Sequence, residues 1–186
     1  MTRHFIQRDG FPRLVDYLPE PFEDLTVLNL GAGKSDSPLS EMLRYLPFLL
    51  ITHVDVWEPD LDVLRAAEHQ AESTFFLVHD LREPLLLASN SYSVVLGLDV
   101  IEHLKRRHAL ALISEAERIA SDRVVFFVPL GPCPSFAADQ PNPYQEHLSI
   151  WTADDLEALG YQVDIMEDFH DFTTSKFDAC WAWKEV

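Results

Sequence analysis

Cysteine is nearly absent: Cys133 and Cys180 are the only two in 186 residues. They show no metal-type spacing and build no disulfide scaffold, so the expected setting is a reducing cytoplasm and no metal is expected. Basic residues are scarce too, 14 against 31 acidic ones, for a formal charge of -17. Such a surface repels phosphate backbones, and no basic stripe offsets it, so nucleic acid is not an expected partner. No apolar run approaches the ~18 residues of a membrane helix. The opening MTRHFIQRDGF lacks the apolar core of a secretory signal. Internal repeats and low-complexity segments are missing as well. What remains is a chain 47% apolar, long enough to bury one core and read as a single domain, 1–186.

The organisation centres on Thr26 to Leu46, TVLNLGAGKSDSPLSEMLRYL. Val27 to Leu30 reads as a buried strand, Gly31-Ala32-Gly33 as a sharp turn, and Pro38 to Leu46 as a helix. Ahead of it, residues 1–24 hold two proline turns and room for a helical turn at Leu14 to Leu18, a short cap. Behind it, apolar runs alternate with helical spacing. Strands are expected at Leu49–Val56, Thr74–Val78, Ser93–Leu98 and Arg123–Val128. Helices are expected at Leu61–Ala71 and Lys105–Ile119. This alternation predicts a three-layer α/β sandwich around a mostly parallel sheet. A proline-rich segment, 130–151, has no periodicity, and loops this long in a compact domain are usually functional. Helix Thr152–Leu159 follows, with Thr152 as N-cap, Asp155 at the capping-box position and Gly160 as the stop. Two closing strands, Gln162–Glu167 and Phe177–Trp183, lie either side of a polar and aromatic loop. With no helix between them they predict an antiparallel hairpin at a sheet edge.

In an open α/β sheet, ligands bind beyond the carboxyl ends of the strands where the winding reverses. The residues at those ends are Gly31-Ala32-Gly33, then Asp55-Val56-Trp57, then Asp80-Leu81, then Leu98-Asp99 and Glu102-His103. A strand passing through glycines into a helix lets a ligand approach the backbone and aims helix amides at it. An acid about 20 residues further on is placed to accept from ribose hydroxyls, the part assigned to Asp55. The dinucleotide fingerprint needs a third glycine where Asp36 stands, and the phosphate-loop signature needs one where Leu28 stands. A cationic nucleoside without phosphates therefore fits better than NAD or ATP.

Four stretches in order, VLNLGAGKS, THVDVWEPDLDVLRAA, FFLVHDL and SVVLGLDVIEHL, resemble the motifs of class I S-adenosylmethionine-dependent methyltransferases. The resemblance runs from about Leu25 to the C-terminus. It implies a seven-stranded sheet with the last strand antiparallel, S-adenosylmethionine (SAM) as cofactor, and methyl transfer to a small-molecule acceptor. It assigns the cofactor to Asn29, Gly31, Ala32, Gly33, Asp55, Val56, Trp57, Asp80, Leu81, Leu98 and Asp99. Two positions depart from the pattern: Asn29 replaces the usual acid and Ser35 the usual third glycine. Those departures keep open a SAM-binding module without transfer activity. An NAD-dependent oxidoreductase is a further reading, opposed by Asp36 and by the lack of a substrate domain.

Transfer from a sulfonium needs alignment and exclusion of water, and a general base only where the acceptor must lose a proton. His103 and His147 are the candidate bases, since imidazole takes up protons near neutral pH. The 130–151 loop follows the fifth strand and is expected to lie over the methyl group. Its Tyr144, His147 and Trp151 are candidate acceptor contacts, aromatic walls suiting a flat or cationic molecule. Phe169, His170, Phe172 and Phe177 are expected to close the other side.

Overall fold

Short runs rich in β-branched and aromatic residues form strands here because both faces of the sheet are covered. The computed structural model describes residues 4–6, 14–34, 46, 48–67, 73–135, 142–172 and 175–186. Its strands are β1 (His4–Ile6), β2 (Thr26–Leu30), β3 (Leu50–Asp55), β4 (Thr74–Val78), β5 (Tyr92–Leu98), β6 (Ala120–Pro129), β7 (Gln162–Phe172) and β8 (Ser175–Glu185). The described helices are α1 (Glu58–Ala67), α2 (Arg106–Ile119) and α3 (Ala153–Ala158). Short 3-10 turns occupy Leu14–Tyr17, Phe22–Asp24 and Ile101–His103.

The strands form one sheet in the order β1-β7-β8-β6-β5-β2-β3-β4. Strand β8 runs antiparallel to both β6 and β7, and every other pairing is parallel. From β2 the chain winds outward through β3 and β4, then returns to the other side of β2 through β5 and β6. The winding therefore reverses between β2 and β5, the place where such sheets leave a crevice.

Alternate strand residues feed two cores. On one face Leu28, Leu30, Val95, Val124 and Phe126 meet Leu112, Ile113, Ala116 and Ile119 of α2, with Leu156 of α3. Each large aliphatic buried this way contributes about 1.5–3 kcal/mol before the entropy of ordering it is counted. On the other face Val27, Val94, Leu96, Val125 and Phe127 meet Leu14, Tyr17 and Trp181.

Seven strands in the expected arrangement are present, and β1 makes an eighth. It pairs parallel with β7 through His4↔Asp164, Phe5↔Ile165 and Ile6↔Met166. So the hairpin does not form the edge: a three-residue strand covers it, too short to show any period. The expected cap thus contributes to the sheet as well. Tyr17 of this segment donates to Asp164 Oδ2 at 2.9 Å and stacks on Trp181 with centroids 4.9 Å apart. The polar loop expected between the last two strands is mostly strand. The hairpin resumes past a register shift between Met166 and His170, pairing His170 with Phe177 and Phe172 with Ser175. Asp168 absorbs the shift with φ of 53°. A bulge breaks the alternation there, which is why the sequence reads as loop. The expected helix at Pro38–Leu46 lies outside the described residues except for Leu46, as do Ser35 and Asp36. No helix among the described residues is long and apolar enough to cross a membrane.

Candidate functional site

The glycine turn after β2 is built from two different demands. Gly31 has φ of 64°, and a Cβ there would stand 2.4 Å from Val100 Cγ2, so the turn packs directly on the segment that follows β5. Gly33 has φ of 57°, but a Cβ there would meet nothing within 4 Å. The backbone at Gly33 therefore faces open space, as a cradle for a ligand requires.

Asp55, at the end of β3, holds this turn. Its Oδ2 accepts from the Gly33 amide at 2.8 Å and its Oδ1 from the Trp57 amide at 2.8 Å. Burial raises its pKa, while the amides of Trp57 and Gly33 counteract the rise. Each carboxylate oxygen has a second lone pair, so ribose hydroxyls can still be received. Asp80 carries a fork of bonds from Arg82, whose Nε lies 2.8 Å from Oδ1 and 2.9 Å from Oδ2. That guanidinium holds the Asp80 carboxyl below the usual range.

These groups line a cavity of about 410 Å³ that runs from Gly31 and Gly33 past Asp55, Val56, Asp80 and Leu81 to Asp99 and His103. Its size lies within the range usual for small-molecule sites, roughly 300–1,000 Å³. Asn142 to Leu148 form its roof, and the far end meets Lys105, Arg107 and His108 at the start of α2. A second cavity of about 260 Å³ adjoins it and shares Asp99, His103 and Gln145 as walls. Its own lining includes Lys34, Glu102, Cys133, His147, His170 and Phe172.

The roof is tied down at several points. Leu148 and Ser149 amides donate to Glu102 O at 2.7 and 3.0 Å, and Asn142 Nδ2 donates to Asp60 Oδ2 at 2.7 Å. Arg106 donates to Ile150 O at 3.0 Å and lies over the Trp151 ring, 3.7 Å from its centroid.

The second cavity has unusual titrating groups. Asp99 adopts φ of 53°, and burial pushes its carboxyl up to about 7. Glu102 is 2% exposed, and burial, then Asp99, pushes its carboxyl well above its usual range. His103 is held down to about 4, by burial and then by His147. Burial also lowers His147 and His170. The rings of His103 and His147 meet edge to face with centroids 4.8 Å apart. One ligand-type atom from each of Glu102, His103 and His147 lies within 4.8 Å of the others.

Of the residues predicted from sequence, Gly31, Gly33, Asp55, Val56, Asp80 and Leu81 line the larger cavity together with Tyr144, Asp99 and His103 line both, and His147 lines the smaller one. Asn29, Ala32, Trp57 and Leu98 line neither. Asn29 is buried with its Nδ2 3.1 Å from His53 Nδ1, Ala32 packs on Leu61 and Leu64, and Leu98 belongs to the core. Trp57 serves through its amide on Asp55, and its ring lies 6.4 Å from that of Tyr144. Trp151 is corrected: it is 0% exposed, its Nε1 donates to Ser149 Oγ at 3.0 Å, and it anchors the roof instead of touching an acceptor. His170 and Phe172 line the second cavity, whereas Phe169 packs against Phe127. Arg82 and Asn142 were not foreseen as site residues, and Lys34 and Glu102 were read only as neighbours of the strand ends. Lys34, after the glycine turn, and Glu102, beside His103, carried a local signal; Arg82 and Asn142 carried none.

No family model and no curated protein matches the sequence. Solved structures do. A SAM-dependent methyltransferase from Methanosarcina mazei is 14% identical, with a TM-score of 0.68 over 94% of this chain and 97% of that one. One from Mesorhizobium loti is 17% identical, with a TM-score of 0.63 over 92% and 95%. The geranyl diphosphate C-methyltransferase of Streptomyces coelicolor is 13% identical, with a TM-score of 0.63 over 92% and 74%. Likeness at such identities is a likeness of fold, and the chain has the fold of the class I SAM-dependent methyltransferases.

Proposed function

We propose that this protein transfers a methyl group from SAM to a small-molecule acceptor held in the smaller cavity. The observation that carries the reading is the pair of adjoining cavities with Asp99, His103 and Gln145 as common walls. One is shaped by a glycine turn and strand-end acids. The other is smaller and set beside it. Bound SAM supplies a methyl group on a sulfonium, a leaving group that needs no further activation.

The chain's own residues then bind, orient and exclude water. The open backbone at Gly33 admits the ligand, and Asp55 is placed to accept ribose hydroxyls while it fixes the turn. Asp80 and Leu81 border the same cavity further out, with Arg82 holding Asp80 in one orientation. The tethered segment from Asn142 to Leu148 covers part of the crevice, and the displacement of water there strengthens the polar contacts beneath it. His103, held down to about 4, is a poor proton acceptor at neutral pH, so no base role is assigned to it.

Calorimetric titration of SAM and of S-adenosylhomocysteine tests the reading, with Asp55→Ala as control. Micromolar binding that disappears in the variant, while its melting shows it folded, supports the cofactor site. Absence of binding for both ligands sinks the proposal. Tight binding without turnover across a panel of small acceptors would instead describe a SAM-binding module.

A further inference from the structure

We infer that Glu102, His103 and His147 bind one divalent transition-metal cation in the wall of the smaller cavity. One donor atom from each residue lies within 4.8 Å of the others. Around a cation with bonds of about 2.0–2.2 Å, such donors sit roughly 3–3.5 Å apart, so modest side-chain adjustment closes the site.

Both imidazoles are held by backbone carbonyls. His147 Nδ1 lies 2.8 Å from Cys133 O, and His103 Nδ1 lies 3.2 Å from Glu146 O. A carbonyl only accepts, so in each ring Nδ1 carries the proton and Nε2 keeps its lone pair. Metal-binding histidines are held in this way, with the distal N–H on a backbone carbonyl that fixes tautomer and ring plane. His103 Nε2 is the atom that approaches Glu102, 3.9 Å from Oε1.

Glu102 supplies the independent observation. Its side chain is 3% exposed, and among the described residues neither carboxyl oxygen has a hydrogen-bond partner. An ionised carboxylate in that position, with Asp99 close by, is costly without a cationic partner, and a protonated one has no acceptor within hydrogen-bond reach among the described residues. A cation held by His103 Nε2, the His147 ring and Glu102 removes the deficit, the carboxyl releasing any proton as it binds. Two imidazole nitrogens and one carboxylate oxygen suit zinc, manganese, cobalt or ferrous iron better than calcium or magnesium. Three protein ligands leave coordination positions open to the cavity, the pattern of reactive sites and not of structural ones. The inference stands apart from the methyl-transfer reading, because the cation site needs no SAM.

Cobalt(II) is the probe. Chelator-treated protein is titrated with it while visible ligand-field absorption and heat are recorded, and SAM is titrated separately. The wild-type chain is expected to take up one equivalent. His147→Ala and Glu102→Gln are expected to weaken uptake by about 10–100-fold or more. His79→Ala, altering a histidine whose Nε2 lies 3.3 Å from Glu83 O outside this cluster, is expected to leave uptake unchanged. Melting curves verify that each variant is folded; if Glu102→Gln is not, the loop substitution His147→Ala decides. No cobalt uptake by the wild type, or wild-type uptake in folded His147→Ala, overturns the inference. Cobalt binding without SAM binding would sink the methyl-transfer reading alone, and the reverse result would sink the cation site alone.

Discussion

Gly31 and Gly33 share a left-handed backbone, with φ of 64° and 57°, but a methyl group added at each meets different surroundings. At Gly31 the new carbon would collide with Val100 at 2.4 Å; at Gly33 it would meet open space. Left-handed strain costs about 1–2 kcal/mol at either position, and overpacking adds about 1–3 kcal/mol at Gly31 alone. For a chain of this size 1 kcal/mol moves Tm by about 2–4 °C. Gly31→Ala is therefore expected to melt roughly 5–15 °C below wild type, and Gly33→Ala only a few degrees below. Gly33→Ala should nevertheless lose SAM affinity, because its methyl group points where the ligand belongs. Thermal melting and calorimetry on the two variants check this; equal Tm values would contradict the close packing at Val100. Both glycines were legible as a turn from the sequence. That one meets protein and the other faces the cavity was not, since it depends on Val100 from a distant strand end. Trp151 teaches the same lesson: an aromatic in a binding loop is also the residue best able to anchor that loop in the core.

At the scale of elements, the six-residue α3 is too short to persist on its own and depends on its cap and packing. Thr152 Oγ1 accepts from the Asp155 amide at 3.2 Å, and Asp155 Oδ2 accepts from the Thr152 amide at 2.9 Å. Asp155 also pairs with Arg106 of α2, the residue that reaches the roof at Ile150. Thr152→Ala is expected to cost about 1 kcal/mol, lowering Tm by about 2–4 °C without changing SAM affinity. An unchanged Tm would show that packing of Leu156, not the cap, holds the helix. Elements with a strong local signature were the readable ones: α2 starts within one residue of expectation and ends where expected, and β4 matches. Elements defined by a neighbour were not. Strand β1 exists through its ladder with β7, and the outer half of the hairpin through pairing beyond a bulge.

Across the whole molecule, the -17 charge is a long-range repulsion that opposes the compact state. Added salt shortens the Debye length from about 10 Å at 0.1 M to about 3 Å at 1 M. Tm is therefore expected to rise by a few degrees over that range in sodium chloride, read by calorimetric scanning. A flat or falling Tm would mean that local ion pairs such as Arg106–Asp155 outweigh the net repulsion. The sequence by itself determined the class of fold, the position of the glycine turn and the row of strand-end acids. Those follow from periodicity and short-range turn chemistry, which act along the chain. Only the tertiary structure decided that Asp55 braces the turn, that Trp151 is core, and that Glu102 and His103 meet His147. Those contacts join residues far apart in sequence, and burial, which local pattern does not set, gives them their chemistry.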